Sequence, residues 1–437
     1  MNDLSKFKIA ILGIFVFSIL FGLFSFATSR GGSGSGSSSA NLLVWGTIDS
    51  EVFDSLYSNS TIKNQKSIEV KYVRKNAVDF QQDFVEALSD GKGPDVIILR
   101  EDLMYQNRNK ILNIPYKNYS ARDFKDRFIE NGEIFLAQDG IVALPIIVDP
   151  MVMYWNRDIF SNNQIAQPPK YWDEFYLNDT GSALISKITK KDSNANILLS
   201  AVALGEWKNI VNAKEIFSMI LIQTGSSITA REDDKVVSTL DKTNSSVSES
   251  QLATNFYTQF SNPTSATYTW NRALPSSLNM FLVGNLATYI GFSSELFNIK
   301  QKNSNLNFDV TYVPQIRNAS KKVVFGHIYG ASIVKQSKQT SAAFTFIVSL
   351  TEPAALKAAE VTSTLPPVRR DLLSDKPSDA YRTVFYDSAL ISRSWIDPDP
   401  VQSSETFKDM IESITSGKSR ISDAINRADS ELAEQLK

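Results

Sequence analysis

The first folded segment of the chain carries apolar residues in short runs and at two different spacings. Leu42–Trp45 and Asp95–Leu99 are largely apolar, and Ile68–Tyr72 alternates apolar with charged residues, so each predicts a strand. Val52–Leu56 and Val78–Leu88 carry apolar residues at helical spacing between these strands. This alternation of strands and helices predicts a parallel sheet with right-handed crossovers.

A denser segment follows at Leu144–Phe175, LPIIVDPMVMYWNRDIFSNNQIAQPPKYWDEF. Its apolar positions predict one strand over Ile146–Val148, an Asp-Pro break, and a second strand over Met151–Trp155. A Pro-Pro pair then leads into a helix that starts at Trp172. The segment is therefore expected to form two strands joined by a kink, followed by a helix.

The later part of the chain mixes both spacings. Helices are predicted over Ile197–Leu204, Ala213–Ile222, Leu252–Phe260, Leu274–Gly284 and Ser341–Leu350, and strands over Leu286–Gly291, Phe308–Val313 and Phe325–Val334. The polar, Ser-rich stretch Val236–Ser250 predicts a surface loop. Another helix is expected from Pro353, and the tail Thr406–Leu436 is expected to be helical with a break at Gly417.

The N-terminus has the pattern of a membrane anchor. Lys6 and Lys8 precede Ile9–Ala27, a run of 19 residues without charge, close to the roughly 20 that span a bilayer as a helix. Residues 1–30 are therefore expected to hold one transmembrane helix, with the basic flank in the cytoplasm and the rest outside. Gly31–Ser39, GGSGSGSSS, falls in a flexible linker expected over residues 31–40.

A cleaved signal is the alternative to a retained anchor. Ser25–Ala27 and Ser38–Ala40 both offer a small-x-small cleavage site, and cleavage would release a secreted protein. Signal peptides usually have apolar cores of about 7–15 residues, and the run here is longer. The pattern favours a retained anchor at Ile9–Ala27, which would hold the folded part at the extracytoplasmic face of the membrane.

The composition excludes several classes of function. The 437 residues, 43% of them hydrophobic, suffice for two domains, and a net charge of −2 without a basic run argues against nucleic acid as a partner. The absence of cysteine excludes thiol chemistry and disulfides. The one histidine, His327, allows no H-E-x-x-H zinc site, and no G-x-S-x-G motif accompanies it. We expect no catalytic residue, metal or cofactor, and a packed or pocket-lining role for His327.

Leu144–Phe175 resembles a segment of the extracellular solute-binding proteins of ABC importers, family 1, the maltose-binding-protein type. There the hinge and the start of the second lobe read LP…D…YN.d.F…PP.tW.EF. Phe281–Phe292, FLVGNLATYIGF, is similar to the family's F..GkaAM...G segment, and Leu365–Pro367 to its LP loop. The resemblance extends over most of Leu42–Lys437.

The resemblance implies an α/β, two-lobe periplasmic-binding-protein type II fold with discontinuous lobes and a hinge cleft, preceded by the N-terminal transmembrane helix. Lobe 1 would comprise residues 41–147 plus about 312–355, and lobe 2 residues 148–311 plus about 356–437. Pro145, Pro150 and Pro314 would lie at the hinge.

Ligand-binding residues are expected at strand ends and helix starts, because open α/β sheets bind ligands at the carboxyl ends of their strands and two lobes close over a cleft. The candidates are Trp45, Asp49, Arg100, Asp149, Trp270, Gly291, Phe292, His327, Tyr329 and Trp395. Trp45 is equally suited to stack on a sugar or to pack in the core. Trp270 is favoured because a large aromatic residue in an irregular polar segment has few reasons to be in a core.

The function implied is that of a receptor that binds a small solute and delivers it to ABC permease subunits. A mono- or oligosaccharide is favoured as the solute, and peptides, polyamines and phosphate esters remain alternatives. Such a receptor is expected to be a monomer outside the cytoplasm. One alternative is a secreted carbohydrate hydrolase, which needs two carboxyl groups about 5–10 Å apart, although no such pair stands in a recognisable motif. An adhesin is a third possibility, and no internal repeat supports it.

Overall fold

The structure, a computed structural model, describes residues 40–65, 67–177, 183–233, 235–243 and 248–437. The expected anchor at residues 9–27 and the linker residues 31–39 lie outside these ranges. Within them, every helix is too short or too polar to cross a bilayer.

The described strands are short except for two. They are β1 Ala40–Gly46, β2 Ile68–Arg74, β3 Val96–Arg100, β4 Ile111–Leu112, β5 Leu136–Ala137, β6 Gly140–Ile141, β7 Leu144–Asn156, β8 Lys190–Lys191, β9 Ile197–Val202, β10 Thr229–Glu232, β11 Lys235–Ser238, β12 Leu286–Phe292, β13 Phe308–Thr311, β14 Val324–Val334 and β15 Ser392–Arg393.

The α-helices lie between these strands and at the C-terminal end. They are α1 Ser50–Ser58, α2 Phe80–Ser89, α3 Ala121–Arg127, α4 Arg157–Asn162, α5 Leu184–Ile188, α6 Ala213–Thr224, α7 Glu249–Thr258, α8 Ser277–Leu282, α9 Glu295–Lys302, α10 Thr340–Leu350, α11 Pro353–Ser363, α12 Arg370–Leu373, α13 Ala380–Leu390, α14 Pro400–Thr415 and α15 Ile421–Gln435. Short 3-10 helices occupy Thr61–Asn64, Glu101–Leu103, Tyr105–Lys110, Glu130–Phe135, Trp172–Phe175 and Gln259–Ser261.

Most of the described strands belong to one continuous sheet in the order β2-β1-β3-β14-β7-β12-β9-β8. The first three strands pair in parallel, as the alternation of strands and helices predicts. β14 and β7 then pair antiparallel with each other and with their outer neighbours β3 and β12. The two long strands β7 and β14 therefore form the middle of the sheet.

β7 runs without interruption from Leu144 to Asn156, so the expected break at Asp149-Pro150 was wrong. Its first part pairs with β14, and its last part pairs with β12 and β13. Pro150, which has no N–H to donate, lies where β7 exchanges one set of neighbours for the other. A proline is tolerated in a strand at such a change of pairing.

The buried apolar side chains form two clusters. The chain passes from one cluster to the other near Pro150 of β7 and near Gly326 of β14, which pair with each other, and we call this place the crossing of β7 and β14. The first takes Val148 from β7 and Ile328 from β14, together with β1, β3 and α10. The second takes Met151 from β7 and Phe325 from β14, together with β9, α6, β12 and the C-terminal helices. β7 thus passes from the first cluster to the second between Val148 and Met151, and β14 passes from the second to the first between Phe325 and Ile328.

Two other expectations differ from the structure. Ile197–Leu204 was predicted to be a helix, but Ile197–Val202 is strand β9. A short apolar run looks alike in a buried strand and a buried helix, so spacing alone does not separate them. Within the predicted loop Val236–Ser250, β11 extends to Ser238 and α7 begins at Glu249, where Ser248 caps the helix by accepting from the Gln251 N–H.

Candidate functional site

Strand ends from both clusters meet at the crossing of β7 and β14. Arg100, the last residue of β3, pairs with Tyr329 of β14, two residues beyond His327. From the other side Phe292, the last residue of β12, pairs with Met151, next to Pro150. β1 is parallel to β3 and β9 is parallel to β12, so their carboxyl ends face the same region. This is where an open α/β sheet binds ligands.

His327 lies at the centre of this region and is 6% exposed. Its Nδ1 lies 2.7 Å from Glu101 Oε1, and its Nε2 lies 3.8 Å from Glu215 Oε1. The imidazole stacks on Phe292 with ring centroids 4.7 Å apart and meets the Phe325 ring edge-on at 5.2 Å. The histidine therefore links a carboxylate that follows β3 to one that opens α6.

The turn after β3 holds three charged residues in a fixed arrangement. Glu101 also accepts the Ile328 backbone N–H at 2.7 Å, so both its oxygens are engaged. Arg100 donates to both oxygens of Asp102, at 2.9 and 2.5 Å. Burial alone would raise the pKa of Asp102, but Arg100 and, further off, His327 lower that pKa to about 2. Asp102 is therefore a carboxylate throughout the ordinary pH range.

Asp149 ties the long strand β7 to the turn after β12. Its Oδ1 accepts from the Ser293 hydroxyl at 2.7 Å and from the Ser294 backbone N–H at 3.0 Å. Burial raises the pKa of this carboxyl group. Gly291 is the next-to-last residue of β12, and a Cβ there would come within 2.6 Å of Tyr289 Cε1. The backbone is thus packed closely where β12 reaches the crossing.

A second charged pair lies at the start of α6, on the side of the second cluster. Lys214, at the start of α6, forms an ion pair with Asp397 and donates to the Pro400 carbonyl at 3.1 Å. Burial raises the pKa of Asp397 to about 6, even though Lys214 acts in the opposite direction. Trp395 is 6% exposed, and its Nε1–H donates to Ser218 Oγ at 3.2 Å.

The structure thus brings together seven of the ten candidates, namely Arg100, Asp149, Gly291, Phe292, His327, Tyr329 and Trp395. Tyr329 belongs to the group through its pairing with Arg100, and burial raises the pKa of its hydroxyl to about 12.

The other three candidates lie elsewhere. Trp45 is 8% exposed and packs in the first cluster, with Lys75 Nζ 4.0 Å from its ring centroid. Asp49 is exposed and forms an ion pair with Arg74 at 2.5 Å. Trp270 has no exposed surface and donates from Nε1 to Asn209 Oδ1 at 3.1 Å. In this structure, Trp270 is a core residue of the second cluster rather than a surface for stacking.

The predicted hinge prolines take different positions. Pro145 and Pro150 both lie within β7, and the Pro150 carbonyl accepts the Ser293 N–H at 3.0 Å. Pro314 follows β13, and its carbonyl accepts from Gln223 Nε2 at 3.2 Å. Two of the three prolines are therefore part of the strand that runs through the crossing.

Several residues of the site were missed by sequence reasoning. Lys214 and Glu215 open α6, a helix that is otherwise almost entirely apolar. Two adjacent charges at the start of an apolar helix are a usable signal, because such a helix is buried and its charges need partners. Asp397 lies in the loop of Trp395, and only the fold brings it to Lys214.

Two clefts open between the parts of the chain that hold the two clusters. The larger has a volume of about 1020 Å³ and reaches from Glu101 to the β10–β11 hairpin and Leu436. The smaller has a volume of about 760 Å³ and includes Trp395. Ile134 and Ile396 line both clefts, so the two clefts lie on either side of these two residues. In the described ranges no group of three or more acidic or histidine side chains is placed to hold a metal ion.

A family model of bacterial extracellular solute-binding proteins matches residues 60–417. The chain belongs to this family. Membership places the folded part outside the cytoplasm. A binding protein of Brucella abortus (strain 2308) is 32% identical over 88 residues, which are 20% of this chain and 21% of that protein. The chain thus matches about a fifth of the length of this relative.

Solved structures share the whole architecture. A cyclo/maltodextrin-binding protein complexed with maltotetraose has a TM-score of 0.73 at 16% identity and covers 93% of this chain and 99% of its own. An ABC transporter solute-binding protein from Thermotoga lettingae TMO, bound with alpha-D-tagatose, has a TM-score of 0.63 at 18% identity, with 91% and 100% covered. The expected two-lobe α/β fold is therefore confirmed.

Proposed function

We propose that this protein captures a carbohydrate between its two lobes by hinge closure and delivers it to the permease of an ABC importer. The observation that carries the proposal is the meeting of strand ends from both clusters at the crossing of β7 and β14, around His327. The matched structures with maltotetraose and tagatose support the choice of a sugar.

The chemistry of the crossing suits a sugar. Aromatic rings take the C–H faces of a pyranose, and Trp395, which lines the smaller cleft, supplies such a ring. Charged groups exchange hydrogen bonds with hydroxyls, and Arg100 keeps about a third of its side chain exposed while it holds Asp102. A solute that entered here would meet both kinds of group at once.

The hinge is proposed to be the two long strands. β7 and β14 cross between the clusters, and a third crossing lies at α13, where Phe385 packs in the second cluster and Tyr386 in the first. Closure would then need backbone changes near Asp149-Pro150, near Gly326-His327 and at α13. Lobes with the boundaries expected from the sequence, 41–147 with about 312–355 and 148–311 with about 356–437, stay a prediction.

The remaining parts of the proposal concern the membrane. An anchor at residues 9–27 would hold the receptor at the outer face of the membrane, within reach of a permease; cleavage of this segment would release it. We further propose that the protein acts as a monomer without cofactor and without turnover of its solute. The family and the matched structures are binding proteins, which supports this proposal over a hydrolase.

A thermal melting assay with mono- and oligosaccharides, amino acids and peptides tests the proposal. A solute at a hundred times its Kd adds about 2.7 kcal/mol of stability, so a bound sugar should raise the Tm without any product on chromatography. Arg100→Gln should reduce the shift, whereas Arg122→Gln, which removes an arginine that is 89% exposed in α3, should not. Release of a sugar product, or no shift with any solute, would contradict the proposal.

A further inference from the structure

The larger cleft has an excess of positive charge. Five basic residues and two acidic residues line it: Arg108, Arg231, Lys235, Lys335 and Lys437, and Glu101 and Asp139. Both acids are already engaged, Glu101 with His327 and the Ile328 N–H, and Asp139 with the Asn113 side-chain amide at 2.8 Å. Asp139 still acts electrostatically on Arg231, but the two acids offset only part of the charge of the five basic groups.

Three of the basic side chains have no partner in the described part of the chain. Arg231 on β10, Lys235 on β11 and Lys335 after β14 make neither an ion pair nor a side-chain hydrogen bond with described residues. Arg231 is open to solvent at the mouth of the cleft, although the surrounding walls lower its pKa. A guanidinium in such a place presents five donors in a planar fork that fits a carboxylate or a phosphate.

The basic groups come from both sides of the cleft. Lys335 and Arg108 belong to the side of the first cluster, whereas Arg231 and Lys235 belong to the hairpin on the other side. Tyr105 Oη donates to the Leu436 carbonyl at 3.1 Å and joins the two sides at one end. An anion between them would draw the two sides together, which a single-sided basic patch would not do.

Apolar side chains occupy much of the wall between the charges. Met104, Ile111 and Ile134 face Val236, Ile396 and Leu436 across the cleft. The cleft therefore suits a solute with a charged group on an otherwise uncharged body. A bare inorganic ion would leave most of its volume of about 1020 Å³ unfilled.

We propose that the solute is an acidic saccharide, bound in the larger cleft with its anionic group against Arg231, Lys235 and Lys335. The inference rests on the proposed function and names the solute class for the interlobe cleft that adjoins the crossing at Glu101, which lines this cleft and contacts His327. The shared chemistry is a sugar with a carboxylate or a phosphate. The sugar ring would lie along the apolar walls toward Glu101, and the anionic group would lie at the hairpin.

Isothermal titration of the full chain tests the inference with matched pairs of probes. Hexuronate mono- and disaccharides and hexose 6-phosphates are each compared with the neutral parent sugar. The acidic member should bind at least about tenfold more tightly, and the difference should shrink between low and high salt, because charges in an open cleft are screened. The uronate and phosphate arms show which anionic group is preferred.

Arg231→Gln isolates the contribution of the arginine. It should weaken the binding of the acidic sugar about tenfold and leave the neutral parent unchanged. Arg231→Lys keeps the charge without the planar fork and should lose less. Arg122→Gln removes the same charge on exposed α3 and should change neither affinity. Arg231 is exposed, so an unchanged melting temperature will show that the variant is folded.

The outcomes separate the inference from the proposed function. If neutral sugars bind as tightly as their acidic partners, or if Arg231→Gln weakens both equally, the inference is overturned and the proposed function stands. If no sugar of either kind binds, the proposed function fails and the inference fails with it.

Discussion

His327 is held by groups from three separate stretches of the chain. Glu101 follows β3, Glu215 opens α6 and Phe292 ends β12. A lone histidine beside aromatic residues was expected to be packed or to line a pocket, and its position agrees with that expectation. Its two carboxylate partners were not predictable, because both lie more than a hundred residues before it in the sequence and only the fold brings them together.

Asp102 makes stability depend on pH. Its pKa in the folded protein is about 2, lower than the usual 3.8, so the ionised form stabilises the fold above pH 4. That contribution, about 2 kcal/mol, is lost as the pH falls from about 4 to 2. Urea unfolding of the wild type and of Asp102→Asn should show a gap in the free energy of unfolding that narrows over this window. A gap that stays constant with pH would contradict the assignment.

Trp270 illustrates a residue whose role could not be predicted from its neighbours in sequence. The polar run Tyr268–Asn271 favoured an exposed ligand contact, yet the Thr269 and Trp270 N–H groups both donate to the Phe260 carbonyl, and the indole is buried. Local polarity reports the backbone surroundings and not the direction in which a side chain points.

Trp270→Ala is therefore expected to act on stability. Emptying a fully buried tryptophan site costs about 3–5 kcal/mol. The control Phe297→Ala removes an aromatic ring that is 73% exposed in α9 and should change stability by less than about 0.5 kcal/mol. Chemical denaturation of both variants measures the difference. A Trp270→Ala variant that keeps its stability but loses sugar affinity would instead show that Trp270 contacts the ligand.

At the scale of elements, β7 and β14 form the middle of the sheet and join the two clusters. Their apolar character was evident in the sequence, and so was Pro150, but proline was taken as a break. The proline is tolerated because β7 changes neighbours there, a fact that depends on strands more than a hundred residues away. The parallel strands β1, β2 and β3 were predictable because spacing and order suffice for them.

Gly326 tests how tightly the crossing is packed. A Cβ at this position would lie 2.8 Å from Ser392 Cβ and 3.3 Å from Pro150 Cα. Gly326→Ala should therefore cost about 1–3 kcal/mol through overpacking. Ser392→Gly removes the closer of the two atoms, so the double variant should be more stable than the sum of the single changes predicts. Strict additivity in denaturant unfolding would show that the two positions are not in contact.

At the scale of the whole molecule, the two lobes follow from a resemblance and not from composition. Spacing of apolar residues showed alternating strands and helices, but it did not show that the chain returns to each lobe. Of the seven expected ligand residues that the structure brings together, only Trp395 lines one of the two clefts, and the binding role of all ten stays a prediction. The hairpin of β10 and β11 was read in part as a loop, and its two basic residues, Arg231 and Lys235, come opposite Lys335 and Arg108 only in the fold.

The central claim is closure of two lobes around a sugar, and a distance measured across the cleft tests it most directly. The chain has no cysteine, so dyes on Val78→Cys and Phe297→Cys would label one exposed position on each side. Sugars that raise the Tm should increase energy transfer between the dyes, and the sugar should be recovered intact. Energy transfer that stays constant while a sugar binds would contradict closure, and with it the account of β7 and β14 as a hinge.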